Sequence, residues 1–355
     1  MLTSRRPESL KVFTNGDGPH RKRGGNFTTL PQHLKQLGYR SIGMGKSFHP
    51  ESDAPFSWSE PYYIAPNKDD WRLDVSWLIV NESDLTEPLP DMYVTQEAVR
   101  RIEELAPAAV TRDQPFFLTV GLQKPHLSMY APSRFFDMYP PQDIQLPVND
   151  FAPVNQPEIS WNNCPEKNRY NDLTSFEWAF NQTLPDDYVL DLRRAYYSCV
   201  TYMDELVGEI LGAIDANGLY EHTVVMMVSD HGWMLSEHAT YCKSFNFDLD
   251  THVPFILRVP GSLDDGSYSD SIVELADVFP TLMDVLELPT VPVCPRVGSE
   301  DVLLCREGES VVNALRQPES WKDVAFSQIT RETGEIEDEY DVMGYSVKTQ
   351  EYRLL

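Results

Sequence analysis

The chain has 355 residues, 29 basic and 55 acidic side chains, a formal charge of −26 and 41% hydrophobic residues. That length suits one large α/β domain plus part of another, and the apolar content excludes intrinsic disorder. The acidic balance argues against nucleic-acid binding, and the longest apolar runs, such as 116–120 and 224–228, fall far short of a membrane span.

The first stretch is basic. Residues 1–50 hold nine Lys/Arg against two Asp/Glu, a local charge of +7 that leaves −33 for the remainder. This reads either as a solvated face or as part of a site for a small anion. Thr29-Leu30-Pro31 opens a helix with proline near its first turn, Leu30, Leu34 and Leu37 on one face and Gly38 as its stop. A short strand over about 39–44 follows. Residues of about 93–105 read as a second helix, and 116–120 as an unbroken apolar strand. The stretch 127–186, rich in Pro, Asn and Asp, reads as a long excursion of surface loops. A long helix then covers 187–217, ended by Asn217-Gly218. Thr223–Val228 is the clearest buried strand, and 253–259 is another, ending at Pro260-Gly261. Helices alternating with continuous apolar strands predict an α/β fold whose sheet is mainly parallel and covered on both faces.

Polar motifs follow three of these strands. Gly45-Lys46-Ser47-Phe48-His49 follows the first, Lys124-Pro125-His126 the second and Ser229-Asp230-His231-Gly232 the third. Ligands of open α/β sheets sit outside the carboxyl ends of strands, so the three motifs converge on one crevice. Two lysines, three histidines and a carboxylate gathered there suit an anionic ester beside a metal ion. Asp230 and His231 read either as a strand-ending turn or as metal ligands, and a hard cation wants more oxygens than these two supply. Lys46 is either solvated or neutralises a sulfate or phosphate oxygen, and His49 shares a proton with the reacting centre. His126 is either a packed loop histidine or the acid that protonates a leaving oxygen. The run 233–248, with Glu237, His238, Lys243 and Asn246, is either a surface loop or a pocket wall with Lys243 as a second anion-binding lysine. His252 stays ambiguous.

Five cysteines include the close pair Cys294 and Cys305 in a stretch that a disulfide is able to close, and sequons occur at Asn26, Asn81 and Asn181. Together they favour a secretory or lysosomal history, although Met1–Pro7 has no apolar signal-peptide core.

The stretch Gly38–His49 resembles the second signature of the sulfatase family, with Met44 a departure. Gly25–Thr28, Lys124–His126, Ser229–Trp233 and Thr251–Pro254 are similar to the branch of that family that acts on sulfated iduronate. Residues 273–282, the 294–308 cysteine loop and Met343–Val347 extend the resemblance over nearly the whole chain. It implies an alkaline-phosphatase-like α/β fold, with a catalytic domain over 1–316 and the start of a smaller α+β domain over 317–355. It also implies hydrolysis of a 2-sulfate on iduronate units of heparan or dermatan sulfate, with a calcium ion and a formylglycine nucleophile. Carried over, Asp230 and His231 are calcium ligands, Lys46 and Lys243 bind sulfate, His49 serves the formylglycine hydrate and His126 the leaving group. Trp233, Glu237 and His238 are weaker candidates for contacting the uronate. The partners implied are a sulfated glycosaminoglycan or small sulfate ester and, for a full-length form, the formylglycine-generating enzyme.

One departure from the family pattern is serious: none of the five cysteines begins a Cys-x-Pro/Ala-x-Arg motif. Met1–Pro7 instead resembles the tail of that signature, so the expectation is a chain that starts after its nucleophile, the first strand and the paired metal-binding aspartates. It is also expected to stop early in the second domain, as an incomplete gene product or truncated isoform. Such a chain has little or no sulfatase activity and weakened calcium affinity. Two rivals are a phosphodiesterase or phosphomonoesterase of the same superfold, which needs a second metal, and a non-catalytic glycosaminoglycan-binding fragment.

Overall fold

The computed structural model describes residues 1–13, 21, 25–48, 53, 56–68, 71, 73–162, 164–262, 266–331 and 342–354. Helix α1 (Leu30–Gln36) starts where Thr29 accepts the Gln32 amide on its side chain, with Pro31 in the first turn. Leu30 and Leu34 are fully buried and pack against Phe279 and Met283. Leu37 does not share that face: the helix ends at Gln36, the chain turns at Gly38 (φ 95°), and Leu37 is left exposed.

Strand β1 (Arg40–Gly45) is well enclosed, with Ser41 to Met44 all buried. Strand β2 (Trp77–Val80) precedes helix α2 (Pro90–Val110), which buries Val94, Ala98, Ile102 and Leu105 at helical spacing. Strand β3 (Phe116–Gly121) then pairs with β1 in parallel, Arg40 opposite Phe116 and Gly45 opposite Gly121. Both chains therefore leave the sheet at the same edge. Strand β4 (Met129–Pro132) pairs with β2, also in parallel. Helix α3 (Asp186–Ala216) buries Val189, Leu192, Ala195, Cys199, Tyr202 and Leu206 against β4 and the loops of 164–184.

Strand β5 (Val225–Val228) departs from the expectation of a buried parallel strand. It is half-buried and pairs antiparallel with β8 (Phe255–Arg258), Val228 opposite Phe255. The intervening chain folds back through a small hairpin, β6 (Met234–Leu235) with β7 (Tyr241–Cys242), so it re-enters the sheet from the edge it left. Ile256 of β8 is exposed beside a cleft of about 3370 Å³. Helix α4 (Val278–Val285) packs with α1 against Phe117 of β3 and Met226 and Val228 of β5. Beyond residue 316, β9 (Ala325–Arg331), β10 (Val342–Lys348) and β11 (Arg353–Leu354) form an antiparallel sheet. Its Arg331 donates to the carbonyls of Ser160 and Ser244 and so joins this sheet to the walls of the cleft.

The N-terminal segment is tied to distant sequence. Arg6 pairs with Glu274 through two 2.8 Å bonds, and Lys322 reaches Glu274 at 2.9 Å and Asp277 at 2.7 Å. Cys294 and Cys305 are disulfide-bonded, as are Cys164 and Cys242, while Cys199 is a buried thiol.

Two close approaches set the shape of the cleft edge. A Cβ on Gly121 would stand 2.2 Å from the Ser47 nitrogen, in the turn where the Lys46 amide donates to the Gly121 carbonyl at 2.7 Å. A Cβ on Gly232 would stand 1.9 Å from the Leu249 carbonyl, where the Gly232 amide donates to Asp250 at 2.8 Å. Gly121→Ala is therefore expected to cost about 1–3 kcal/mol and to displace the Lys46 turn. Chemical denaturation checks this, and an unchanged midpoint would contradict it. The Asp250 carboxyl is buried, accepts the Phe245 amide at 2.5 Å on one oxygen and is pushed up to about 6 by burial, from an ordinary 3.8. A folded-state value above the unfolded one means that stability is lost as pH rises through it. Asp250→Asn keeps an acceptor for Phe245, so it is expected to raise stability by roughly 1–3 kcal/mol at pH 7.5, with the gain shrinking towards pH 4. Thermal melts across that range test it, and a gain independent of pH would contradict it.

Candidate active site

Because β1 and β3 end in register and β5 ends nearby, their exits deliver Lys46, His126 and Asp230 to one wall of the cleft, and the chain after β7 adds Lys243. The Lys46 Nζ donates to Asp230 Oδ2 at 3.1 Å. Lys243 Nζ lies 2.5 Å from His126 Nε2 and 2.9 Å from Glu166 Oε1. The His126 and His231 rings are 6.5 Å apart. Lys46, His126, Asp230, His231 and Lys243 are thus brought together, while His49 lies outside the described residues.

Proton positions follow from the backbone contacts. His126 Nδ1 faces the Leu127 carbonyl at 2.8 Å, and a carbonyl only accepts, so the ring proton sits on Nδ1 and Nε2 offers its lone pair to the Lys243 ammonium. His231 Nδ1 likewise donates to the Gly232 carbonyl at 2.8 Å, which leaves its Nε2 as an acceptor 3.8 Å from Asp230 Oδ2. Burial first, and then the Lys243 charge, push His126 well below the ordinary imidazole value. In the resting site His126 is therefore neutral and the shared proton resides on Lys243. Burial also lowers Lys243, against the opposing pull of Glu166. Asp230 stays below the usual carboxylate range: partial desolvation at the cleft wall raises it, but the Lys46 ammonium outweighs that.

Other candidates are placed differently. Trp233 is 7% exposed and packs its ring against His126 at 5.5 Å and His231 at 6.2 Å, so it supports the histidines from behind instead of facing a ligand. Glu237 is committed elsewhere: one oxygen accepts from Arg193 and the other from the Leu235 amide, both at 2.7 Å, which pins the β6–β7 hairpin to α3. His238 stacks on Phe247 at 4.5 Å and contacts Asn149, away from the cluster. Lys124 is buried, and its ammonium donates to the carbonyls of Ser128 and His126, so it shapes the turn that carries His126 and offers nothing to a ligand.

Asp230 and His231 alone do not fit a calcium ion. Ca²⁺ takes 6–8 oxygens, whereas these residues bring one carboxylate, already paired with Lys46, and one imidazole. Among the described residues no group of three or more His, Cys, Asp or Glu side chains gathers to hold a metal. No cysteine is available as a nucleophile precursor either. Four are in disulfides, and Cys199 lies fully buried in the core with its thiol pushed up to about 12 by burial.

Sequence reasoning missed Glu166 and the Cys164–Cys242 bridge beside it. The only signal was a pair of cysteines 78 residues apart, one of them in the Pro-rich excursion.

The sequence model of the sulfatase family matches residues 1–288. Iduronate 2-sulfatase of Mus musculus is 32% identical over 413 residues, spanning 99% of this chain and 74% of that protein. Among solved structures, a phosphonate monoester hydrolase from Silicibacter pomeroyi superposes with a TM-score of 0.70 at 17% identity, over 98% of this chain and 74% of that one. A protein solved in complex with its substrate D-glucosamine-2-N,6-O-disulfate also gives a TM-score of 0.70, at 18% identity over 98% of this chain and 76% of that one. These superpositions establish the alkaline-phosphatase-like fold, and the family match with the 32% identical relative places the chain among the sulfatases, the sulfuric ester hydrolases.

Proposed function

We propose that the cleft at the ends of β1, β3 and β5 holds the sulfuryl group of a 2-sulfated uronate in a glycosaminoglycan such as heparan or dermatan sulfate. The single observation that carries this is the pair of ammonium groups, Lys46 and Lys243, facing one cleft in a chain of net charge −26. The similarity to iduronate 2-sulfatase supports the choice of sugar, and the solved complex with a sulfated glucosamine supports a sulfated saccharide as ligand.

Lys46 and Lys243 neutralise sulfuryl oxygens as negative charge builds on them. Lys46 is available because its pairing with the exposed Asp230 is a surface ion pair, worth roughly 0–1 kcal/mol and readily exchanged for a stronger anion. Lys243 holds a proton against His126 Nε2, which supports this pair as the proton donor to a departing sugar oxygen in a form of the protein that also carries the nucleophile. Formylglycine and calcium belong to the family's chemistry, but no step is routed through either, since the cysteines and the Asp230–His231 pair do not supply them. These 355 residues on their own accordingly bind a sulfated ligand without turning it over. A lysosomal or secreted setting fits the two disulfides and the exposed Asn26, Asn81 and Asn181 as glycosylation sites. No helix among the described residues is long and apolar enough to cross a membrane.

Titration calorimetry with a 2-O-sulfated uronate disaccharide tests the reading. Lys46→Ala and Lys243→Ala are each expected to weaken binding by about tenfold or more, the loss of one charged hydrogen bond. Inorganic sulfate release from the same disaccharide is expected to stay at background. Unchanged affinity in both variants would refute the site, and sulfate release by the 355-residue chain would refute the assignment of its cysteines.

A further inference from the structure

Glu166 stands where none of the roles above places a carboxylate. It lies on the short turn Pro165–Arg169, directly after Cys164, and the Cys164–Cys242 disulfide joins that turn to the residue preceding Lys243. Further bonds hold the same two segments together. Asn162 Nδ2 donates to the Lys243 carbonyl at 3.1 Å, Trp161 Nε1 to the Ala239 carbonyl at 3.4 Å, and Arg331 spans Ser160 and Ser244 at 3.1 and 2.7 Å. A carboxylate so tethered meets the Lys243 ammonium at high effective concentration, without waiting for a chance encounter.

Its two oxygens fare unequally. Oε1 takes the Lys243 ammonium at 2.9 Å. Oε2 lies 3.4 Å from His126 Nε2, a nitrogen whose lone pair already faces Lys243, and this buried oxygen has no hydrogen-bond partner. A buried acceptor without a donor is costly, so the carboxylate sits in the anion position only half satisfied. A sulfuryl group presents three oxygens and is able to meet Lys243 and Lys46 together, whereas a second carboxylate would only repeat what Glu166 already does.

We infer that Glu166 is a built-in counter-ion that occupies the anion position against Lys243 and His126 until a sulfated ligand displaces it, so that it sets both the affinity of the site and its preference for sulfate over carboxylate. The inference rests on the reading of Lys46 and Lys243 as the sulfuryl-binding pair. It makes Glu166 a specificity-determining residue and the Cys164–Cys242 bridge the tether that holds it in place.

The test is calorimetric titration of the whole chain with inorganic sulfate and, separately, with acetate. Wild type is expected to bind sulfate and to show no acetate binding. Glu166→Gln removes a like charge at contact distance and is expected to bind sulfate about tenfold tighter and to acquire acetate binding. The double variant Cys164→Ser/Cys242→Ser, which keeps the carboxylate but unties it, is expected to shift sulfate affinity in the same direction by a smaller factor. This second variant also keeps the test decisive if Glu166→Gln folds poorly. Equal or weaker sulfate binding in Glu166→Gln, alongside loss of binding in Lys243→Ala, would overturn the role of Glu166 and leave the lysine site standing. Equal sulfate binding in wild type, Glu166→Gln and Lys243→Ala would overturn both.

Discussion

Lys243 is largely removed from water, and an ammonium group in such a place keeps its proton only while something electron-rich faces it. Glu166 and the lone pair of His126 fill that need when no ligand is present. Everything else about the cleft follows from holding that charge. The parallel register of β1 and β3 brings the Lys46 turn and the His126 turn to one edge, and the absence of a side chain at Gly121 lets the two turns touch. Buried Lys124 locks the second turn through the carbonyls of His126 and Ser128. The ring of Trp233 backs both histidines, and the Leu127 carbonyl holds the His126 proton on Nδ1, so His126 presents Nε2 to Lys243.

The resulting pocket gathers two ammonium groups, each paired with a carboxylate, within a strongly acidic protein. A polyanionic chain is repelled by most of the surface, so attraction is concentrated where Lys46 and Lys243 emerge. On the proposed reading, selectivity for a single sulfate group on a sugar is easier to build this way than on a broadly basic surface. Two cysteine pairs brace loops, the one at Cys164 and Cys242 beside the pocket itself, and Cys199 of α3 is packed in the core.

Much of this was legible in the order of residues because it is local. Apolar runs that end in Gly-Lys, Lys-Pro-His and Ser-Asp-His-Gly mark strands that open on one cleft, and Lys46, His126, Asp230 and His231 line it. Lys243 was reachable as well, since its neighbourhood is too polar for a simple turn. What stayed hidden depends on contacts between distant segments. Glu166 looks like any acidic loop residue until the Cys164–Cys242 bond and Arg331 fold its turn against β7. Glu237 has the right chemistry and the right place in sequence, yet Arg193 of α3 claims it. Apolar strands such as β5 and β8 carry no mark of direction, which is why a reading from composition alone expects parallel pairing where the chain doubles back.

The central claim is that Lys46 and Lys243 together grip one sulfuryl-like group. Soaking crystals of the chain with selenate and locating selenium by anomalous diffraction tests it most directly. The account predicts one strong peak within hydrogen-bonding reach of both Nζ atoms, beside His126. A cleft without selenium there, or with selenium bound by only one of the two lysines, would contradict it.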